Sequence, residues 1–319
     1  MSPTNPQILP YGEAAIADAA RVIADGGCVA VPTETVYGLA ADATESRAVA
    51  GIYAAKGRPS FNPLIVHVLD LAAAERIAVF DADARALAGR FWPGPLTLVL
   101  PLRADAGIAA LVTAGLSTIA IRVPAHRAMR ALLAATGKPL AAPSANASGG
   151  ISATRAEHVV ASLGDRIPLV IDDGATPGGI ESTIVRGREV LRPGPLTEEE
   201  LFPDEGRGPV TTFSDTGPRP SPGIVEAPGQ LASHYAPSKP VRLNATMAGE
   251  EEWLIGFGAV AGDESLSLTG DLTEAAANLF DALHRADAAP ATAIAVAPIP
   301  NTGIGIAIND RLARAAHPR

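Results

Sequence analysis

Lys56-Gly57-Arg58-Pro59 sets two cations either side of a glycine, in a chain of 319 residues that has only 25 Lys plus Arg. Paired donors of this kind suit a phosphate, with Arg offering a planar fork and Lys a mobile point charge. Cations also collect at helix C-termini, so position alone leaves both readings open. Pro143-Ser144-Ala145-Asn146-Ala147-Ser148-Gly149 combines small hydroxyls, an amide and glycine after a short apolar run. Such a loop brings backbone close to an anion or nucleotide and supplies dense donors; an ordinary turn uses the same residues. Pro32-Thr33-Glu34-Thr35-Val36-Tyr37-Gly38-Leu39 follows another apolar run. If extended, it points Thr33, Thr35 and Tyr37 to one side; the alternative is a hydrogen-bonded turn. Glu181-Ser182-Thr183 and Arg192-Pro193-Gly194 add hydroxyls and a further cation. Arg122 stands inside the apolar run 119–123, where a charge needs a partner or a ligand. Together these residues point to a phosphate-bearing ligand held by scattered Lys, Arg, Ser, Thr and Asn.

Other chemistries lack their residues. No G-x-x-x-x-G-K-[ST] loop occurs, since Gly137-Lys138-Pro139 has neither the loop nor the hydroxyl. Gly303-Ile304-Gly305 has no third glycine at dinucleotide spacing. The histidines (67, 126, 158, 234, 284 and 317) form no H-E-x-x-H pair, and no G-x-S-x-G elbow is present. Cys28 is the sole cysteine, which excludes a disulfide scaffold and argues against thiolate metal sites. A net charge of −9 argues against a general nucleic-acid coat, while leaving room for a local basic groove. No apolar run reaches transmembrane length, and residues 1–10 show no basic-then-apolar signal. A cytoplasmic protein with no membrane partner is the expectation.

The elements that must position these residues are legible in outline. Helices are expected over 13–25, 44–55, 70–79, 82–89, 126–135 and 154–163, the last with Thr154 and Glu157 at capping-box spacing. Short buried strands are expected over 28–31, 64–68, 96–100, 118–123, 139–142, 169–171 and 183–185. Their irregular mixture predicts an α/β or α+β fold. Residues 203–239 carry seven prolines with many Gly and Ser and no period, a linker composition. Beyond it, strands at 253–257 and 292–296 and helices at 272–283 and 304–315 predict a second, small α/β unit.

The Pro32 to Leu39, Lys56 to Pro59, Pro143 to Gly149 and Arg192 to Gly194 segments, with Asn62-Pro63-Leu64-Ile65-Val66-His67, Trp92-Pro93-Gly94-Pro95-Leu96-Thr97 and Arg122-Val123-Pro124, resemble the YrdC-type threonylcarbamoyl-AMP synthases over about residues 12–200. Ser233-His234-Tyr235-Ala236-Pro237 resembles the linker of the family's two-domain form, and Ala307-Ile308-Asn309-Asp310-Arg311-Leu312 its C-terminal domain. The chain departs from the family in one place: two Pro-Gly steps, Pro222-Gly223 and Pro228-Gly229, precede the His-Tyr pair where the family more often has one.

The resemblance implies a YrdC-like twisted open α/β sheet with helices around a concave, positively charged cavity. It adds a small Rossmann-like α/β C-terminal domain. The implied boundaries are a catalytic domain over 10–202, a linker and possible lid over 203–239, and the small domain over 240–317. The implied reaction joins L-threonine, bicarbonate or CO₂, and ATP into threonylcarbamoyl-AMP and pyrophosphate. The product supplies threonylcarbamoyladenosine at position 37 of tRNAs, through the tRNA threonylcarbamoyltransferase machinery, with tRNA contact possible. By resemblance Lys56 and Arg58 are catalytic and hold the ATP phosphates, with Asn62, Ser144, Asn146 and Arg192 completing the nucleotide site. Thr35, His67, Arg122 and Ser182 face threonine. Thr33, Tyr37 and Thr118 belong to the cavity, and His234 and Tyr235 to the lid. Mg²⁺ is expected on phosphate oxygens, with no metal ligand from protein side chains. Double-stranded RNA binding is a further expectation of the resemblance, and two alternatives stand beside the synthase: an RNA-binding or ribosome-associated module, which the acidity disfavours as the main role, and a carbamoyltransferase-linked domain of a larger enzyme, which the lack of zinc-finger or acylphosphatase-like segments disfavours.

Overall fold

The structure, a computed structural model, describes residues 6–203 and 234–317. Its first sheet has ten strands: β1 (Gln7–Pro10), β2 (Val29–Pro32), β3 (Tyr37–Asp42), β4 (Ile65–His67), β5 (Leu96–Pro101), β6 (Thr118–Arg122), β7 (Leu140–Ala141), β8 (Leu169–Asp172), β9 (Thr183–Arg186) and β10 (Glu189–Arg192). They lie in the order β1-β8-β2-β3-β7-β4-β6-β5-β9-β10. Parallel and antiparallel pairs alternate irregularly, as the mixed pattern of the sequence implies. The central strands β2, β3, β4 and β6 are almost wholly buried; helices cover both faces of β2 and β3, while one face of β4 and β6 turns Ile65, His67 and Arg122 toward a cavity. One helix layer, including Glu13–Ala24 and Arg127–Thr136, packs with the Ala, Ile and Leu cluster around Met129 and Leu132. The helix Ser46–Lys56 covers the other face through Val49 and Ile52.

The second sheet is wholly parallel: β11 (Val241–Arg242), β12 (Glu252–Gly256), β13 (Glu264–Ser265) and β14 (Ala293–Val296), in the order β11-β14-β12-β13. Parallel neighbours require crossovers, which the helices Leu272–Ala288 and Gly305–Ala315 flank. Asp271 starts the first of these helices by accepting from Glu274 N–H.

The sequence expectations hold for most elements and fail at identifiable places. Residues 154–155 do not begin a helix. The helix is Ala156–Leu163, no side chain caps it, and Thr154 Oγ1 instead meets His158 Nδ1 at 3.3 Å. A complete capping box occurs at Thr197 and Glu200. Strands β1, β3, β10, β11 and β13 escape the periodicity reading, being short or rich in Gly and Ala. The two Pro-Gly steps, and most of the 203–239 segment, lie outside the described residues. Among the described residues no helix is long and apolar enough to cross a membrane.

The two sheets share one apolar seam. Val36, Ile151 and Ile180 from the first unit pack with Leu279, Phe280 and Leu283 of the second. Gly179 sits at this seam with φ +68°, and a Cβ there would lie 2.3 Å from the carbonyl oxygen of Ala276. Both the backbone conformation and the space demand glycine. We expect Gly179→Ala to lower stability by about 1–3 kcal/mol through this backbone clash, seen as a lowered thermal midpoint. An unchanged midpoint would contradict the seam geometry.

Candidate active site

The turn 33–36 joins β2 to β3, and its shape follows from two hydroxyls. Thr33 Oγ1 donates to the Val36 carbonyl at 2.7 Å and accepts from the Thr35 N–H at 3.1 Å. Thr33 and Thr35 hydroxyls lie 2.8 Å apart. The turn reading therefore replaces the extended one. Thr33 and Thr35 line a cavity, whereas Tyr37 does not. Tyr37 points away into the core and donates from its hydroxyl to the Gly174 carbonyl at 2.8 Å.

The cavity is lined by residues from distant parts of the chain: Thr33, Thr35 and Gly38; Arg58; His67; Arg122; Ser144; Glu181 and Ser182; Arg192; and His234 with Tyr235. Three guanidinium groups therefore meet in one depression of a protein whose net charge is −9. Each is less than 9% exposed, so each must be satisfied by oxygen atoms. Arg58 donates from Nε to the Asn62 carbonyl and from Nη2 to Asn62 Oδ1 at 2.6 Å and the Pro63 carbonyl at 2.9 Å. Arg122 donates from Nη1 to Thr35 Oγ1 at 2.9 Å and from Nε to the Gly94 carbonyl, and Nη2 lies 2.6 Å from Glu34 Oε1. Arg192 donates from Nε and Nη2 to the Ser182 carbonyl, and from Nη2 to Ser182 Oγ at 3.1 Å. Ser182 is held from the other side by Thr97, 2.8 Å between hydroxyls.

Lys56 stands behind this wall. It ends the helix Ser46–Lys56, which Gly57 closes at φ 60° in the left-handed region. Its Nζ donates to the carbonyls of Ser144 and Asn146, tying the 143–149 loop to the Lys56-Gly57-Arg58 corner. Asn146 Nδ2 then closes the loop on the Ala147 and Gly150 carbonyls. Asn62 and Asn146 are both fully buried and do not line the cavity. They act as supports, one for Arg58 and one for the loop. Thr118 lies at the opposite end of β6 from Arg122, paired with Pro101. Four residues of strand put it roughly 13 Å away from that end, and it does not line the cavity.

Two acids sit among the cations, and neither was assigned a role from the sequence. Burial alone would raise the Glu34 carboxyl, but the Arg122 charge and the backbone N–H groups of Glu34 and Ala125 hold it below the usual range. Glu181 bonds Ser152 Oγ and Arg311 Nε. The signal for Glu34 was present as a carboxylate next to the Thr33 and Thr35 hydroxyls; the signal for its partner, 88 residues on, was not. Among the described residues no group of three or more His, Cys, Asp or Glu is placed to hold a metal ion.

The ionisation of the wall follows its burial. Burial, with Arg58 and Arg166 nearby, pushes the Lys56 ammonium well below the usual lysine range. Burial brings Arg58 down to about 10, which leaves it cationic at neutral pH. His67 pairs in register with Arg122 across β4 and β6. Burial first, and the Arg122 charge second, push His67 down to about 3, so it is neutral, and its Nδ1 is buried without a hydrogen-bond partner. Burial and the charges of Arg58, Lys56 and Arg192 likewise keep His234 neutral.

These shifts have a defined sign. His67 is depressed in the folded state, so the unfolded chain takes up its proton first as pH falls. The stability it contributes is complete above about pH 6.5 and is lost progressively toward pH 3, by at most about 1.4 kcal/mol per pH unit. We expect thermal midpoints to fall between pH 7 and pH 5 and His67→Gln to flatten that dependence. Equal slopes for the two proteins would show that His67 is not held neutral.

Comparisons with known proteins bear on the family of the whole chain. A family model described as telomere recombination matches residues 21–194, and one described as threonylcarbamoyl-AMP synthase, C-terminal domain, matches residues 198–317. The chain is 39% identical to a threonylcarbamoyl-AMP synthase of Bacillus subtilis, over 94% of this chain and 92% of that one. It is 38% identical to a threonylcarbamoyl-AMP synthase of Pyrococcus abyssi, over 93% of each. The crystal structure of P. abyssi Sua5 complexed with L-threonine superposes with a TM-score of 0.86 at 36% identity, covering 97% of both chains. Two family models that together span the chain, and relatives matched over nearly their whole length, show that it belongs to the two-domain threonylcarbamoyl-AMP synthase family.

Proposed function

We propose that the cavity makes threonylcarbamoyl-AMP from L-threonine, bicarbonate or CO₂, and ATP, for threonylcarbamoyladenosine in tRNA. The observation that carries this reading is the convergence of Arg58, Arg122 and Arg192 on one hydroxyl-lined cavity in an acidic protein. Three buried guanidinium groups lining one cavity suit an anionic ligand, and threonine carboxylate and ATP phosphates are such ligands.

In this reading the threonine amine forms a bond to the CO₂ carbon and gives up one proton to solvent, leaving a carbamate. A carbamate oxygen then forms a bond to the α-phosphorus of ATP as the bond to the β-phosphate oxygen breaks, and pyrophosphate leaves. No side chain needs to be a nucleophile. The protein must position three small molecules and neutralise charge on the transferring phosphoryl group. Arg58 and Arg192, with Ser144, take the nucleotide side, and Lys56, Asn62 and Asn146 hold their geometry. Thr35, Ser182, His67 and Arg122 take the threonine side; Arg122 is already oriented by Glu34 and Thr35. Neutral His67 adds no charge to compete with Arg122. His234 and Tyr235 form the cover that keeps water from the labile carbamate.

Mg²⁺ in this reading is carried on phosphate oxygens. The cavity fits that arrangement, because Glu181 is engaged by Arg311 and Ser152, and Glu34 is paired with Arg122. The same reading divides the chain into a catalytic domain over 10–202, a linker over 203–239 and a small domain over 240–317, and places the protein in the cytoplasm.

Incubation with ATP, L-threonine, bicarbonate and Mg²⁺ should release pyrophosphate only when threonine is present. No threonine-dependent release from folded protein would sink the assignment. Arg58→Ala should reduce turnover about 100-fold or more, as loss of a charge-stabilising group does. Lys56→Ala should reduce it comparably and also lower the thermal midpoint, since two carbonyls lose their donor. Turnover at the wild-type rate in either variant would contradict the phosphate-side roles.

A further inference from the structure

The helix Gly305–Ala315 belongs to the C-terminal unit, yet one of its side chains reaches the cavity wall. Arg311 is fully buried. Its Nε donates to Glu181 Oε2 at 3.2 Å and its Nη1 to the Pro193 carbonyl at 2.6 Å. Asp310 Oδ2 lies 3.0 Å from the same Nη1. The guanidinium also lies over the Tyr235 ring, 5.5 Å from its centroid.

The groups it touches are neighbours of cavity residues. Glu181 precedes Ser182, and Pro193 follows Arg192. These two segments are pressed together, since a Cβ on Gly194 would lie 2.3 Å from the Thr183 nitrogen and 2.7 Å from the Glu181 carbonyl oxygen. Inside the cavity they are joined by Arg192 to Ser182. From behind, Arg311 joins them again. Tyr235 adopts φ +61°, a conformation that costs a non-glycine residue about 1–3 kcal/mol and persists only where neighbours impose it. Arg311 is one such neighbour, Phe280 of the C-terminal unit is another at 5.5 Å, and Gly149 holds the adjoining Ala236 N–H at 2.9 Å. Burial opposes the Arg311 charge, but Tyr235, Glu181 and Asp310 more than offset it and its pKa is raised.

We propose that Arg311 is a positioning residue of the active site: the C-terminal unit uses it to fix the Ser182 and Arg192 wall and the Tyr235 cover in the geometry that binds both substrates. The consequence is that the C-terminal unit is a part of the synthase machinery rather than an appended module. Arg311 reaches no reacting atom in this scheme; it acts through Glu181, Pro193 and Tyr235. The inference rests on the synthase reading above.

The test uses the full-length chain and steady-state pyrophosphate release, with wild type, Arg311→Met, Arg311→Lys and Arg155→Met measured side by side. Arg155 pairs with Asp281 across the same seam and lines no part of the cavity, so its variant controls for weakening the seam alone. A purely structural role for Arg311 would lower the folded fraction, reducing apparent kcat and leaving KM unchanged. Positioning predicts that Arg311→Met raises KM for threonine and for ATP at least fivefold, with Arg311→Lys intermediate because it keeps charge but loses the fork. Arg155→Met should keep wild-type KM values. KM values within twofold of wild type in folded Arg311→Met would overturn the inference. If that variant does not fold, the same threshold applied to Arg311→Lys decides it. Loss of threonine-dependent release in the wild type itself would instead overturn the synthase reading.

Discussion

Arg58, Arg122, Arg192 and Lys56 are buried together, and a buried cation must be met by oxygen atoms placed at hydrogen-bond distance. That demand organises the segments around the cavity. The 143–149 loop takes its shape from Lys56, which gathers two of its carbonyls. The 58–63 corner is drawn around Arg58 through Asn62 and Pro63. The 33–36 turn delivers Thr35 and Glu34 to Arg122. Ser182 and Arg192 lock β9 to the end of β10. Around Lys56, Arg58 and Arg192 the loop carbonyls serve a side chain rather than a ladder, and around Arg122 the turn supplies side-chain oxygens. The arrangement leaves a cavity lined by cations in an acidic protein, each cation held in place by oxygen atoms, and orientation of charge is what reaction at a phosphorus without a protein nucleophile requires.

The sheet supplies the fixed frame for this. Register between β4 and β6 sets His67 beside Arg122, and burial of the imidazole, with the Arg122 charge next to it, keeps His67 neutral. Neutral histidine beside a fixed cation is thus a product of strand pairing. Apolar packing then extends the frame across the chain. Val36 belongs at once to the turn bearing Thr35 and to the cluster around Leu279 and Phe280. The cavity wall and the C-terminal unit therefore share a core, and Arg311 adds a polar contact to the same junction.

Much of the site was legible before any fold was known. Lys56, Arg58, Ser144, Ser182, Arg192 and Arg122 stand out because cations are few and because hydroxyl-rich loops follow apolar runs. The resemblance to a family ordered them into one site. Other residues lie off the cavity wall for physical reasons. Tyr37 alternates with Thr33 and Thr35 along the chain, but the Thr33 hydroxyl folds the backbone into a turn and sends Tyr37 to the core. Thr118 shares a strand with Arg122 but lies at its other end. Asn62 and Asn146 are in the right segments but off the cavity wall: Asn62 Oδ1 accepts from Arg58 and Asn146 Nδ2 donates to the loop backbone, while Asn62 Nδ2 and Asn146 Oδ1 are buried with no hydrogen-bond partner.

The sequence by itself determined the elements with a clear period, the class of ligand and the family, because these depend on residue type and local spacing. It could not determine which polar groups meet. Glu34 with Arg122, Glu181 with Arg311, and Arg192 with Ser182 are pairs made across strands, loops and two separate sheets, and no local spacing encodes them. Only the tertiary structure decided that His67 is neutral, that Lys56 stands behind the cavity wall, and that a helix at the far end of the chain touches the site. The physical reason is the same in each case: burial and charge pairing depend on distance in space, which the chain fixes only once it has folded.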